Sequence, residues 1–448
     1  MRLDAVGAIA ALAAIIITGF IGQWIFKKTT VPDVILLIAL GMVIGPQVLG
    51  LIDNDMMASL SGMQEFLMAL ALVFILFDGG LGLRFKSVME NIQIAVFQTV
   101  TSFLLSLVTV TLAGIFILGM STIEALILGG IVGGTSGAVV LTIVPKMKMR
   151  EKTRTMLSLE SALTDVVVIV FVVVLVQLVL KENSSALDVA WIVSSKFAIS
   201  AVIGIAVGII WLELLKMFEE MPFSYMLTLA ALFLLFAACE SSPLQGSGAI
   251  AALFFGLVLG NKKHFEKVFK RIKLDFSLDE QIKYLNSEIT FLLRSFFFVY
   301  LGLIFSLNVV TLWFFVGCAI ICAAIVLARY ASAKLTTYVG EFDTFDEKGI
   351  FAMLPRGLAA AVLATYPAQQ GLSFNAYTDN LFMENAGVFI QNSVLVVILT
   401  TTVLATIFTY MSERHVNNNS CKRPLTGDRR IGYAEESYTE IIESQRKQ

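Results

Sequence analysis

Met156–Leu180 reads MLSLESALTDVVVIVFVVVLVQLVL. As a helix rising about 1.5 Å per residue, this run is long enough to cross a hydrocarbon layer of about 30 Å. It nevertheless carries Glu160, Ser161, Thr164 and Asp165 close together. A carboxylate near mid-bilayer costs at least about 2.5–3.5 kcal/mol, so two in one span point to function by default. Consecutive helical residues turn by about 100°, which puts Ser161 and Asp165 on one face and separates Glu160 from Asp165 by about 140°. The two carboxylates therefore cannot enter one small site. The pattern gives Asp165 to a cation cavity and Glu160 to a basic partner on another helix.

Outward from this span the chain keeps the same character. Of its 448 residues 57% are hydrophobic and only 15% are charged, against about 25% charged in an average soluble domain. An all-α polytopic membrane protein is expected. Windows of about 20 apolar residues number thirteen, from 5–26 to 385–411, with Val6–Phe26 read as a first span and not as a removed signal. Cys239, Cys318, Cys322 and Cys421 lack metal-ligand spacing and read as packing residues. His264 and His415 lie in polar segments, and no nucleophile with a base emerges from the spans. Neither an enzyme, nor a cofactor, nor a nucleic-acid partner is expected.

The connections give an orientation. Lys27 and Lys28, Arg84 and Lys86, the run Lys146–Arg154 and the run Lys262–Lys273 follow odd-numbered windows, whereas 52–59, 118–122, 240–246 and 371–384 hold no Lys or Arg. The positive-inside rule then places the chain in the cell membrane with its N-terminus outside and its C-terminus in the cytoplasm. Residues 1–412 form the membrane domain, and the polar segment 413–448 reads as a short, unordered cytoplasmic tail.

Internal repeats are visible. Gly41–Pro46 resembles Gly256–Asn261, Gly80–Leu83 resembles Tyr300–Leu303, and Thr135–Val140 loosely matches Arg356–Ala361, all at offsets of 215–221 residues. An odd number of spans separates matched elements, so the halves are inverted, as in secondary transporters. Two spans also carry breaks. Residues 129–137, GGIVGGTSG, interrupt the fifth window, and Leu354-Pro355-Arg356-Gly357 interrupts the twelfth. Glycine tolerates unwinding and proline removes a donor, and non-helical backbone survives at membrane depth only where it is buried or lines a wet cavity. Freed carbonyls with the hydroxyls of Thr135 and Ser136 are hard ligands for a small cation. Three arginines lie inside spans. Arg356, beside the second break, is the expected partner of Glu160. Arg294 is deep enough to reach Glu160 or Asp165, and Arg329 either snorkels to the membrane end or joins the buried charges. Asp78 lines an access path or ends the third span.

These residues resemble the NhaP-like branch of the monovalent cation/proton antiporters across nearly all thirteen windows. The resemblance is carried by Phe77-Asp78-Gly79-Gly80-Leu81, by Glu160-Ser161 with Asp165, by Phe296-Phe297-Phe298-Val299 with Gly302-Leu303, and by Arg356-Gly357. It implies a homodimer of protomers with two crossed, unwound helices. The core would lie around 60–180 and 286–411, and the dimerisation part around 5–51 and 188–260. It further implies that Asp165 binds a cation and protons in turn, with ligands from Ser161, Thr164, Thr135 and Ser136, and that Glu160 pairs with Arg356. The chain departs from the family in three places: Ser136 and Thr164 stand where Asp and Asn are common, and Arg294 where Asn is common.

The expected activity is exchange of sodium, or alternatively lithium or potassium, for protons by alternating access. Competition of the two ions for Asp165 suffices to couple them, and Thr164 in place of a second carboxylate favours one-for-one exchange. A gated cation channel on the same fold is the alternative from another class, distinguished by current that ignores the pH gradient.

Overall fold

In lipid a backbone polar group has no water to bond, so apolar runs close their hydrogen bonds within one segment as helices. The structure, a computed structural model, describes residues 13, 15–22, 24–25, 33–46, 48–50, 54–82, 85–144, 147, 149–180, 186–217, 224–240, 246–262, 278–306, 310–377 and 380–420. Residues 15–22 are helical. They are followed by α1 (Asp33–Ile44), α2 (Asn54–Gly82), α3 (Phe85–Phe116), α4 (Thr122–Ile131), α5 (Gly137–Ile143), α6 (Glu151–Leu180), α7 (Ala186–Met217) and α8 (Ser224–Glu240). Then come α9 (Gly248–Gly260), α10 (Leu278–Ile304), α11 (Leu312–Gly340), α12 (Thr344–Ala352), α13 (Leu358–Leu363), α14 (Tyr366–Gln369) and α15 (Ala386–Ser420). Among the described residues six helices are long and apolar enough to cross a membrane, Glu151–Leu180 and Leu312–Gly340 among them. Residues 413–420, expected in the tail, instead prolong α15. The tail beyond 420 with Cys421, the first residues of the first window, Lys27, Lys28, Arg84, Lys146, Lys148 and 263–273 with His264 lie outside the described residues.

Both expected breaks are present. The first separates α4 from α5 at 132–136, the second α12 from α13 at 353–357. The breaks cross and touch, since the Ser136 N–H donates to the Pro355 carbonyl at 2.7 Å. Gly357 permits that approach, because a Cβ there would overlap the Ser136 side chain. The glycines of the first break work by proximity. None has a positive φ, but a Cβ would come within 2.8 Å of Phe171 at Gly130, 2.8 Å of Phe103 at Gly133 and 2.7 Å of Val168 at Gly134.

The repeat recurs in the packing. Gly41 of α1 lies against Val299 and Gly302 of α10, and Gly302 in turn against Ile38. Gly80 of α2 lies against Leu253 and Leu257 of α9, and Gly256 and Gly260 against Phe77 and Leu81. Each crossing is backbone on backbone. One group of helices is thus α1, α2, α7, α8, α9 and α10, and the other is α3 to α6 with α11, α12, α13 and α15. Helices α2 and α10, expected in the core, pack most closely on α9 and α1 because those glycines let main chain meet main chain at the crossing points. They meet the second group at a seam against α6 and α13.

At its two ends the crossing is tied by buried acids. Ser121 caps α4 in a capping box with Glu124, whose carboxylate also accepts from the Asn375 N–H at 2.8 Å and the Tyr377 hydroxyl at 2.5 Å. At the opposite face Asp346, in the first turn of α12, accepts from the Arg150 N–H at 3.3 Å, and Arg150 also pairs with Asp343. Each half-helix that enters a break is therefore fastened to the connection leaving the other break. Burial first, and then the bond to Glu124, push the Tyr377 hydroxyl above the ordinary phenol range.

Candidate cation site

Asp165 lies at the midpoint of α6, half-buried, on the side of the helix turned to the first break. The Gly137 N–H faces its carboxylate. A Cβ on Gly137 would lie 3.4 Å from Asp165 Oδ2 and 3.8 Å from Ser161 Oγ, so carboxylate, hydroxyl and break converge. Thr164 reaches the break from the next face of α6. Its hydroxyl lies 2.9 Å from that of Thr135, accepts from the Thr135 N–H at 3.3 Å and donates to the Ser161 carbonyl at 3.1 Å. The amides of Thr135, Ser136 and Gly137 thus go to Thr164, Pro355 and Asp165 respectively. The Ser161 hydroxyl donates back to the Ser158 carbonyl at 3.0 Å, which leaves its oxygen able to accept. Ser136 is brought to the crossing, where it meets Gly357.

Helix geometry does separate Glu160 from this site, but its partner is Arg329 and not Arg356. Arg329 Nη2 donates to Glu160 Oε2 at 3.0 Å and Nη1 to Oε1, a two-pronged pair with both side chains 1% exposed. Its Nε goes to the Ile350 carbonyl at 2.8 Å and Nη1 also to Ser102 at 3.1 Å. Arg329 therefore does not snorkel. Arg356 is turned elsewhere, its N–H held by Thr401 at 3.2 Å and its Nη2 on Ser106 at 3.4 Å. Its Nε and Nη1 are buried without a hydrogen-bond partner. Arg294 reaches neither Glu160 nor Asp165, because it is committed to Asp33 of α1 at 2.7 Å. Asp78 accepts from Asn286 at 2.7 Å and sits near enough to Asp165 for the two carboxylates to repel. Next to it, a Cβ on Gly79 would lie 3.1 Å from Val166, which puts Asp78 at the seam.

Residues 12–412 match the family described as sodium/hydrogen exchanger, transmembrane. The chain belongs to this family. Among its relatives is Na(+)/H(+) antiporter 1 of Methanocaldococcus jannaschii, 26% identical over 377 residues that cover 80% of this chain and 82% of that protein. The K(+)/H(+) antiporter NhaP of Alkalimonas amylolytica is also 26% identical over 377 residues, 81% of this chain and 61% of that longer protein. In fold the chain is similar to the sodium proton antiporter MjNhaP1 from Methanocaldococcus jannaschii at pH 8. That likeness has a TM-score of 0.73 at 21% identity and covers 91% of this chain and 98% of that one. The chain is thus a multi-pass membrane exchanger of cations and protons.

Several residues that shape this exchanger's interior were not singled out from the sequence. Gln98, Ser102 and Ser106 stand four apart on α3 and bond Thr336, Arg329 and Arg356 respectively. That spacing, a polar stripe in an apolar span, was a readable sign of buried charges opposite. Asp33, Glu124 and Asp346 lie at helix ends, where sequence alone reads an acid as solvated, and Asn286 lies in the third turn of α10 among polar neighbours that read the same way.

Proposed function

We propose that Asp165 is the shared site of the exchanger, holding in turn a proton and a monovalent cation, sodium before lithium or potassium. The observation that carries this reading is the position of Asp165. It is a half-buried carboxylate at the middle of a membrane helix, at the seam of two helix groups, facing a helix break. Ser161 and Thr164 with Thr135 supply neutral oxygens beside it, a set suited to a small hard cation. Ser136 acts at one remove by holding the two breaks together. Asp78, hydrogen-bonded to Asn286, lies on the path by which ions reach Asp165. A bound cation favours the ionised carboxylate and an empty, poorly hydrated site the protonated one, so one group couples both fluxes. The Glu160–Arg329 pair is structural and takes no part in ion binding.

The protein works as a homodimer in the cell membrane, with the N-terminus outside and the face bearing Arg150, Lys152 and Arg154 in the cytoplasm. Movement of the group containing the crossing against the group containing α9 opens the seam first to one side and then to the other. Potassium as the cargo has support of its own in the similarity to a K(+)/H(+) antiporter.

Purified protein in proteoliposomes with an imposed pH gradient tests this. Sodium, and then potassium, should dissipate the gradient with the wild type, while Asp165→Asn, folded by size-exclusion chromatography, should give none. Exchange retained in that variant would falsify the assignment. One-for-one exchange predicts that clamping the membrane potential leaves the rate unchanged.

A further inference from the structure

A groove of about 550 Å³ opens on the outer side of the second helix group, between α11 and α15. Cys322, Val326 and Tyr330 of α11, Leu404 and Phe408 of α15, and Phe351 of α12 line it. The volume falls within the range of small-molecule sites, about 300–1,000 Å³. Its floor is aromatic: Phe351 lies 5.0 Å from Phe408 and 6.1 Å from Tyr330 between ring centres. The same last turn of α12 supplies the Ile350 carbonyl that holds Arg329.

We propose that this groove binds one acyl chain of an anionic phospholipid, with Lys334 taking the headgroup phosphate. Two observations select that occupant. First, the lining is apolar and lies along membrane-crossing helices, where hydrocarbon and not water fills a concavity. From Cys322 to Tyr330 is eight residues, about 12 Å of helix, close to the about 15 Å of hydrocarbon in one leaflet. Second, one turn beyond Tyr330 the exposed Lys334 places its Nζ 5.7 Å from the Tyr330 ring centre. No carboxylate partner for it appears among the described residues. It stands at the same end of the bundle as Lys152, whose Nζ lies 3.2 Å from the Gly340 carbonyl. A phosphate at that height meets a positive charge while its chain enters the groove. The lipid would pack on Phe351, one residue from the anchor of the buried ion pair.

The test is native mass spectrometry of the full chain released from vesicles of phosphatidylcholine with phosphatidylglycerol. Wild type should retain phosphatidylglycerol, one molecule per chain more than either Val326→Trp or Leu404→Trp, which fill the groove from opposite walls. Lys334→Gln should keep a lipid but lose its preference for phosphatidylglycerol over phosphatidylcholine by about fivefold, as one basic residue near the surface implies. Equal lipid retention in wild type and both tryptophan variants would overturn the proposal. So would a change of oligomeric state in those variants with lipid retention unchanged, since the groove would then hold a second copy of the chain. Two separate groove-filling variants guard against misfolding of either one. Lipid counts are read without transport, so they stand or fall independently of Asp165.

Discussion

Glu160 is one carboxylate answering two buried arginines, and the geometry divides them unequally. Arg329 is bound through every nitrogen, whereas Arg356 keeps two nitrogens unpartnered. Removing one member of a buried pair leaves the other charge uncompensated, at a cost of about 3–5 kcal/mol. Glu160→Gln and Arg329→Met should therefore lower the unfolding temperature in detergent strongly, and Arg356→Met distinctly less. A larger loss for Arg356→Met than for Arg329→Met would contradict the assigned pairing. The need for a basic partner was legible in the sequence, because a carboxylate pointing away from Asp165 inside lipid must be matched. Which arginine serves was not, since that depends on how α11 and the second break lie across α3. Only the polar stripe of Gln98, Ser102 and Ser106 on α3 hinted at it.

The broken helices were the most legible elements, because glycine runs and a proline leave few other readings inside a span. Their mechanism was less so: the glycines of the first break admit Phe103, Phe171 and Val168, and none adopts a left-handed backbone. The ties at either end are not legible in the sequence, because an acid near a helix start reads as a cap. Glu124 is a cap and is also the anchor of the 371–385 connection. Tyr377→Phe should loosen that anchor by about 1.5–3 kcal/mol, the worth of one hydrogen bond to a charged group, since Ser121 and Asn375 still donate to Glu124. The readout is faster amide hydrogen exchange at Asn375 and along 371–385. The sign of the pH dependence follows from the raised Tyr377 hydroxyl, whose neutral form the fold favours. Its stabilisation is complete below the ordinary phenol value of about 10 and is lost only as pH rises through the raised one. Exchange protection there that fell between pH 6 and 8 would show that another group controls the connection.

Across the whole molecule the inverted repeat is expressed less in side chains than in two equivalent crossings, α1 on α10 and α2 on α9. The sequence showed the glycines but not that Gly41 lies opposite Gly302 and Gly80 opposite Gly256, which only the folded chain brings together. Extra atoms in a tight contact cost about 1–3 kcal/mol, and more where the obstacle is backbone. Gly80→Ala and Gly302→Ala should both reduce the yield of monodisperse protein. Gly82→Ala, two residues from Gly80 with nothing within 4 Å of its Cβ position, should match wild type. Equal behaviour of all three would mean the helices can separate cheaply.

Such contacts also limit which neighbouring sequences can be reached by single changes. At an ordinary core position a larger residue can be accommodated when its neighbour later becomes smaller. At Gly80 and Gly256, and again at Gly41 and Gly302, the neighbour is already main chain and has nothing left to give up. A side chain gained at any of the four has no second-site remedy on the opposing helix, so reversion is the nearest repair. The site proposed around Asp165 is built of side chains, which can be exchanged one at a time, while the two crossings that hold the scaffold have no such freedom.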